Sequence, residues 1–225
     1  GLFEKFPCDE VYALHNSPGL PVGQIGISEG PAMASFDRAT IKLRGRSAHG
    51  AMPHHGIDVM QCAASIVLGL QSIVSREIDA LKSAVITVGA LQAGETYNVV
   101  PETALIKIGV RALDPAVRAL AEQRINAFVH AQAQSFRVEC DLLYERKYPV
   151  LVNHAKQTEF ARQTAIQLLG AENVVARTPV MGSEDFAYML ERCPGAYVRL
   201  GNGLGEEGGC MVHNPGYDFN DAILP

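Results

Sequence analysis

Two histidine–asparagine pairs, His15-Asn16 and His213-Asn214, lie near opposite ends of the chain, and each is followed by a proline within three residues. A proline there fixes a turn and stops a helix from running through. Neutral imidazole is a common ligand of divalent metal ions. The two pairs therefore favour one metal site assembled from both ends of the chain, and the alternative is that both histidines are ordinary turn residues facing solvent.

A second group of polar residues lies in the middle of the chain. His49 sits among small residues in the loop 45–54, where backbone and ligand can approach closely, and it could donate a hydrogen bond to a developing oxyanion. The loop histidines could equally cap the next helix or face water. Arg111, on an otherwise apolar strand, forms a group with Asn98 in the preceding turn. Arg111 could hold a carboxylate with two hydrogen bonds, or it could form an ordinary ion pair.

Three acidic or thiol motifs have more than one interpretation. Gly182, Ser183 and the two acidic residues after them could line a pocket or cap the following helix. Glu206-Glu207 resembles a catalytic pair, but its glycine-rich surroundings predict a flexible loop. Cys210 and His213 have a C-x-x-H spacing that zinc can use, but no second Cys or His cluster lies nearby in sequence, so we do not expect a joint zinc site.

The periodicity of apolar residues predicts the elements that must position these side chains. Between the two histidine pairs it indicates strand, helix, strand, strand, helix, strand, at 36–44, 57–78, 84–91, 104–112, 114–135 and 136–144. This order predicts a four-stranded antiparallel sheet with two helices on one face, the ferredoxin-like βαββαβ arrangement. Such a sheet has exposed edges, which must be covered or paired, and we expect homodimerisation through this segment.

The flanking segments show a different pattern. Residues 11–15 form a short strand that ends on His15, and α/β alternation resumes after Pro149, with a helix at 154–169 and strands at 174–175 and 196–200. We therefore expect one α/β domain with a mixed sheet, formed by residues 1–30 and 147–225. The βαββαβ domain, residues 31–146, interrupts it at a stretch rich in glycine and proline.

Composition excludes some partners. A net charge of -5 without a basic stripe argues against nucleic acid, and no apolar run reaches the length of a membrane span, so no membrane partner is expected. Five widely spread cysteines, an odd number, fit a reducing compartment, and we expect a cytoplasmic protein.

Five motifs, in this order, resemble the amidohydrolase branch of the zinc aminoacylase and carboxypeptidase superfamily, which includes hippurate hydrolase and the indole-acetyl-amino-acid hydrolases. The motifs cover essentially the whole chain: VYALHN with the following residues to Gly23, SAHGAMPH from Ser47, TYNVVP from Thr96, GSEDF from Gly182 and HNPGYDF from His213.

The resemblance implies a two-metal amidase that cleaves an N-acyl amino acid into a carboxylate and an amino acid. It implies two divalent ions (Zn, Mn, Co or Ni) in the complete enzyme, one bound by His15 and the other by His213. His49 would be the residue that reaches across a homodimer, from an inserted lid, to steady the tetrahedral oxyanion. The predicted contacts to the small-molecule substrate are Asn98, Arg111, Gly182 and Ser183, with Arg111 on the substrate carboxylate.

The chain also departs from this family. Members carry an upstream segment with a Cys and a His ligand and a Glu-Glu pair that contains the general base, and neither Cys8 nor Glu206-Glu207 has the context to replace them. The family's last helix is not matched either. We therefore expect a truncated chain with little or no amidase activity by itself. The alternative is a non-catalytic dimerisation or small-molecule-binding module, because fold does not fix function; His49, Asn98 and Arg111 facing one cleft would argue against it.

Overall fold

The computed structural model describes residues 1–205 and 209–223, which divide between two compact units. Unit 1 comprises Gly1–Met33, Leu151–Val180 and Glu184–Pro225, and unit 2 comprises Ala34–Val150 and Met181–Ser183. Unit 2 is thus formed mainly by one continuous segment between two parts of unit 1. The crossings after residues 33 and 150 come three and four residues later than the expected domain ends at 30 and 146.

The strands, in chain order, are β1 (Val11–Pro18), β2 (Ile25–Gly26), β3 (Gly30–Met33), β4 (Ser35–Arg44), β5 (Ala48–His49), β6 (Ala84–Ala93), β7 (Val99–Val100), β8 (Thr103–Ala112), β9 (Glu139–Tyr148), β10 (Leu151–Asn153), β11 (Val174–Val175) and β12 (Gly195–Gly203). The α-helices are α1 (Leu2–Lys5), α2 (Val59–Ser72), α3 (Pro115–Ser135), α4 (Ala155–Leu169) and α5 (Phe186–Leu190). Short 3-10 helices occupy Pro53–His55, Ala171–Asn173 and Asp221–Ile223.

Unit 1 contains a mixed sheet in the order β1-β12-β2-β11. The β1–β12 pair is parallel, with His15 opposite Arg199, whereas β12 and β2 are antiparallel. The strands β3 and β10 form a separate antiparallel pair. One buried cluster, Leu151, Phe186, Ala187, Leu190 and Tyr197, joins α5 to β10 and β12. The expected mixed α/β fold is confirmed, with one addition: the glycine- and proline-rich stretch expected only as a crossing also contains the short strand β2.

Unit 2 contains an antiparallel sheet in the order β6-β8-β4-β9. On β4 the buried residues alternate with exposed or half-buried ones, so one face of the strand enters the core. The helix α3 begins as expected, with Asp114 accepting a 2.8 Å hydrogen bond from the Ala116 N–H and proline at the first helical position. Its buried residues recur every fourth position and form one stripe: Val117, Ala121, Ile125, Val129 and Ala133.

The helix predicted at 57–78 begins at Val59, where Asp58 caps it, and ends at Ser72. A π-helical turn, Ile73–Glu77, continues it. By length and composition alone Val59–Glu77 could cross a membrane, which corrects the expectation that no segment reaches that length. A third of its most apolar window is buried, and its fully buried residues pack into the core cluster with the strands of unit 2. This is weak evidence for a span, because core helices pass the same test.

The strand predicted at 136–144 instead runs from Glu139 to Tyr148. The reason is the way α3 ends. Arg137 has a φ of 58°, and the Val138 N–H donates to the Ala133 carbonyl, so the chain turns through a left-handed residue before the strand starts. The left-handed residue after a helix is usually glycine, so an arginine at this position does not indicate from sequence where the helix ends.

Candidate active site

His15 lies on β1 in unit 1, and a backbone contact fixes its tautomer. Its Nδ1 is 2.6 Å from the carbonyl oxygen of Asn16. A carbonyl can only accept a hydrogen bond, so Nδ1 carries the proton and Nε2 keeps its lone pair. This is the arrangement in which metal-binding imidazoles are usually held, with the second ring nitrogen hydrogen-bonded to a carbonyl or carboxylate.

His213 lies in a turn of unit 1 and is exposed. Its φ of 67° is in the left-handed region, which is uncommon for a residue with a side chain. Asn214 fixes the turn, since its side-chain oxygen accepts from the Gly216 N–H at 2.9 Å and its carbonyl accepts from the Tyr217 N–H at 2.9 Å. The strained backbone of a histidine is consistent with a functional constraint on the direction of its side chain.

Two side chains connect the two histidine segments. The Asn16 amide, next to His15, donates a hydrogen bond to the hydroxyl of Tyr217. Asn202, fully buried on β12, donates to the Asp218 carbonyl at 3.2 Å and accepts from the Asn220 N–H at 3.1 Å. The turn that bears His213 is therefore anchored to β1 and to β12. Sequence reasoning missed Asn202, although its place in a Gly-Asn-Gly run at the end of an apolar strand was a usable signal.

A metal ion would find only part of a coordination shell in the described residues. Two imidazoles have the nitrogen donors that zinc and similar ions accept, and the tautomer of His15 suits a ligand. Across residues 1–205 and 209–223, however, no group of three or more His, Cys, Asp or Glu side chains is arranged to hold a metal. The histidines thus fit the expected ions as a partial ligand set. The Glu206-Glu207 pair, predicted to be a loop, lies outside the described residues.

Tyr197 lies beside His15, and Glu184 contacts Tyr197; neither contact was predicted. The Tyr197 ring lies 5.9 Å from the His15 ring, centroid to centroid, and its hydroxyl donates to Glu184 Oε2 at 3.3 Å. Burial, and then the Glu184 carboxylate, raise the pKa of Tyr197 well above its usual range. Glu184 also accepts a long hydrogen bond, 3.4 Å, from the Phe186 N–H at the start of α5. The GSEDF motif thus combines a helix-start contact with a contact to the ring beside His15.

His49 and Asn98 are brought together in unit 2. The short strands β5 and β7 pair so that His49 is opposite Val99, and the Gly50 N–H donates to the Asn98 carbonyl at 2.7 Å. A Cβ on Gly50 would come within 2.9 Å of that carbonyl, so only glycine allows this approach. The His49 Nδ1 accepts a 3.0 Å hydrogen bond from the Ala51 N–H. A neutral His49 therefore carries its proton on Nε2, where it can donate.

Arg111 lies with the segment Met181–Ser183, which belongs to the same unit. Its Nη1 donates to the Met181 carbonyl at 2.8 Å, and its guanidinium carbon is 4.6 Å from the centre of the Phe36 ring. The Gly182 carbonyl accepts from the Ala34 N–H at 2.8 Å. The structure thus brings together three of the predicted substrate contacts: Arg111, Gly182 and Ser183.

The two groups in unit 2 lie at opposite ends of the sheet. The Asn98 turn leads into β8 at Thr103, and Arg111 is near the other end of that strand. At about 3.4 Å per residue, Thr103 and Arg111 are about 27 Å apart. Within one chain, His49 and Asn98 therefore lie toward the end of β8 opposite to Arg111. The expectation that the three residues serve one cleft, with His49 reaching across a homodimer, stays a prediction. An open groove of about 740 Å³ near Lys42 and Arg44 is lined by none of these three residues.

Comparison with known proteins gives consistent matches over the full chain. The family model described as "Peptidase family M20/M25/M40" matches residues 1–225. Hippurate hydrolase of Campylobacter jejuni is 37% identical over 225 residues, which are all of this chain and 58% of the relative. "IAA-amino acid hydrolase ILR1-like 4" of Arabidopsis thaliana is 31% identical over 220 residues, 96% of this chain and 50% of the relative.

A solved structure agrees with the fold. The YxeP protein of Bacillus subtilis, described as a dinuclear metal-binding peptidase of the M20 family, is 26% identical with a TM-score of 0.79 and is matched over 99% of this chain and 56% of that one. The chain spans only about half to three-fifths of the length of these proteins. The resemblance to the amidohydrolase branch is confirmed by the two named relatives, and the chain belongs to the M20/M25/M40 peptidase family.

Proposed function

We propose that this chain forms part of a metal-dependent amidohydrolase that cleaves hippurate-like N-acyl amino acids into a carboxylate and an amino acid. The observation that carries this proposal is the opposite hydrogen bonding of two histidines. His15 donates through Nδ1 and leaves Nε2 as a possible ligand, whereas His49 accepts at Nδ1 and can donate through Nε2. Together they offer a ligand and a hydrogen-bond donor, two of the roles that metal-dependent amide hydrolysis uses.

His15 and His213 are the residues of this chain that would hold metal, from the set Zn, Mn, Co and Ni. Two divalent ions at such a site supply polarisation of the amide carbonyl and activation of water. The described residues contain no group of three or more such ligands, and we propose that a site for two ions in the complete enzyme uses further ligands and a general base besides His15 and His213.

His49 is proposed to act on the oxygen of the scissile carbonyl. Its Nε2–H would donate to the negative charge that develops there, and the Ala51 contact keeps this tautomer in place before the substrate arrives. The Asn98 side-chain oxygen accepts a 3.0 Å hydrogen bond from the Thr96 hydroxyl, and its NH₂ group is proposed to donate to the substrate. Both side chains are therefore placed to donate at one end of the sheet.

Arg111 is proposed to hold the substrate carboxylate at the other end. A guanidinium has five N–H donors in a planar fork, and the contact to Met181 uses one of them. The Phe36 ring supports the plane of the guanidinium from one side. Gly182 and Ser183 lie beside it and would contact the same substrate.

In a homodimer the two separated groups could form one site, since His49 and Asn98 of one copy could serve the site that contains Arg111 of the other. We propose that the copies pair through β6. Among the two outer strands of the sheet, β6 (Ala84–Ala93) has no charged residue, whereas β9 has five. Charged outer strands resist pairing with another chain, and uncharged ones permit it.

The β6 proposal is tested by two matched substitutions on the outer strands. Leu91→Glu on β6 should shift the chain to monomer in equilibrium sedimentation at micromolar concentration, because a charge would be buried at the pairing edge. Leu143→Glu on β9, where the leucine is similarly exposed, should leave the dimer intact. A wild-type chain that sediments only as monomer would exclude the dimer.

Metal binding tests the ligand assignment directly. Zn²⁺ titrated into the purified chain should bind weakly, and His15→Ala and His213→Ala should each weaken the apparent affinity by at least about tenfold. His130→Ala, an exposed histidine on α3, is the matched control and should have no effect. Hippurate hydrolysis by the chain alone should stay at background. Enzyme-like hydrolysis that a chelator abolishes would contradict the expected inactivity of the chain alone. Zinc affinity unchanged by both substitutions would contradict the ligand assignment.

A further inference from the structure

Two cysteine thiols meet in unit 1, away from the histidines discussed above. The Sγ atoms of Cys8 and Cys193 are 3.9 Å apart, although 185 residues separate them in the sequence. The Cys193 thiol also lies 3.5 Å from the Cys8 carbonyl oxygen. Cys8 is exposed and Cys193 is buried. A reagent can therefore reach the first thiol, and the second lies directly behind it.

The parallel pairing of β1 and β12 keeps the segments that carry the two cysteines close together. Cys8 precedes β1 and Cys193 precedes β12, and these strands are parallel neighbours with Val11 opposite Gly195. The Val11 N–H donates to the Pro194 carbonyl at 2.9 Å, which links the starts of the two strands. Neighbouring strands are about 4.8 Å apart, and disulfides join Cα atoms about 4.4–6.8 Å apart. The two sulfurs, 3.9 Å apart, would approach to the roughly 2.05 Å of a disulfide by rotation of the exposed Cys8 side chain about its Cα–Cβ bond.

We propose that Cys8 and Cys193 are a thiol modification site, at which a low-molecular-weight disulfide such as oxidised glutathione converts the pair into a reversible disulfide. The Cys8 thiolate attacks one sulfur of the oxidant, the S–S bond of the oxidant breaks, and one glutathione thiolate leaves. The Cys193 thiolate then attacks Cys8 Sγ and displaces the second glutathione. The two cysteines are oxidised, the oxidant is reduced to two thiols, and the two protons end on those thiols.

The bond would act at one end of the β1–β12 pair. His15 lies seven residues beyond Cys8, about 23 Å along an extended strand. The disulfide would therefore fasten the N-terminal segment, including α1, to the start of β12, and it would leave the His15 end of the strands unchanged. Its expected effect is on stability, because it closes a loop of 185 residues.

Intact mass and peptide mapping test the proposal. The reduced chain, treated with oxidised glutathione, should lose the mass of two hydrogens, yield linked peptides that contain Cys8 and Cys193, and unfold at a temperature higher by about 5 °C. Dithiothreitol should reverse both changes. Cys210→Ser, a control at another unpaired cysteine, should behave like the wild type.

The single-cysteine variants identify the order of the steps. Cys193→Ser should stop at the first step and retain one glutathione on Cys8, whereas Cys8→Ser should form neither the mixed disulfide at that position nor the linked peptides. A wild-type chain that keeps glutathione on Cys8 without closing, that does not react, or that links a different pair of cysteines would overturn the proposal.

Discussion

His15 lies within β1 and His49 ends the short strand β5, and the two histidines make opposite hydrogen bonds through Nδ1. The Nδ1 of His15 faces the Asn16 carbonyl, whereas the Nδ1 of His49 faces the Ala51 N–H. The first contact leaves a lone pair on Nε2, and the second leaves a proton there. The chemical role of each imidazole thus depends on a single backbone group within two residues of it.

The two histidines also differ in how their surroundings hold them. The Tyr197 ring lies beside His15, and the neighbouring Asn16 is hydrogen-bonded to Tyr217. His49 is exposed, and its position depends on the close approach of Gly50 to Asn98. A ligand for a metal must be rigid, and a donor that acts on a substrate must be accessible. The comparison therefore predicts separable effects on metal content and on turnover.

The largest effects should come from removing each imidazole in the active enzyme that contains these residues. His15→Ala should lower kcat/KM by more than about 10³-fold and should reduce metal content, because a ligand is lost. His49→Ala should lower kcat by about 10²-fold with metal content unchanged, because only a donor to the oxyanion is lost. Metal analysis beside steady-state kinetics checks both.

A conservative variant sharpens this test. His49→Gln retains an N–H donor and should recover part of the lost kcat, whereas His15→Gln should not recover activity, since an amide is a poor replacement for an imidazole ligand. Equal loss of metal in the His15 and His49 variants would show that the opposite tautomers do not have separate roles.

Smaller effects should follow from loosening the support of each histidine. Gly50→Ala should lower kcat by about tenfold without changing metal affinity, because the new Cβ would meet the Asn98 carbonyl and displace His49. Asn16→Ala should weaken metal binding by about tenfold and leave the His49 donor intact, because the turn that bears His213 loses its link to β1.

Gly1→Ala is the control for the glycine substitution. Gly1 lies before α1 in unit 1, where an added Cβ would have an ordinary contact distance, with Glu4 Oε2 at 4.0 Å. It should therefore change neither kcat nor metal affinity. If Gly50→Ala behaves in the same way, the tight approach of the two loops has no part in placing His49.

The elements of unit 2 could be predicted from sequence because each has a strong local signal. Asp114-Pro115 marks the start of α3, and the alternation on β4 marks a strand with one buried face. The errors come from the places where a local rule was overridden. Arg137 adopts a left-handed conformation, which only a glycine at that position would have indicated from the sequence. The helix α2 continues into a π-helical turn, for which this segment has no sequence signature.

The candidate site was less accessible from sequence than the fold. The histidines were chosen for their residue types, but the direction of each ring proton depends on backbone geometry that no spacing reveals. Tyr197 was missed because a tyrosine in an apolar strand is indistinguishable from a core residue until its hydroxyl is seen next to Glu184. Sequence order also did not show that Asn98 and Arg111 lie toward opposite ends of the sheet within one chain, so a cleft that both serve across a homodimer stays a prediction.

The smallest effect concerns the pH dependence of stability near His15. The folded protein raises the pKa of Tyr197 above the value of 10.0 for an ordinary tyrosine, chiefly through burial and next through Glu184. As the pH rises, the unfolded chain therefore loses the Tyr197 hydroxyl proton at a lower pH than the folded protein does. Below about pH 10 the contribution of the neutral phenol to the free energy of unfolding is fully present, and it declines as the pH rises toward the folded-state pKa, by up to about 1.4 kcal/mol per pH unit.

Tyr197→Phe should cost about 1 kcal/mol at pH 8, where the hydrogen bond to Glu184 is lost. Between pH 10 and pH 12 its free energy of unfolding, measured by urea denaturation, should fall less steeply than that of the wild type, because one buried phenol no longer titrates. Tyr97→Phe is the control, since the Tyr97 side chain is fully exposed and its removal should change neither value. Parallel pH profiles for wild type and Tyr197→Phe would mean that the ring beside His15 is not kept neutral by its surroundings. That result would contradict the claim that His15 has rigid surroundings.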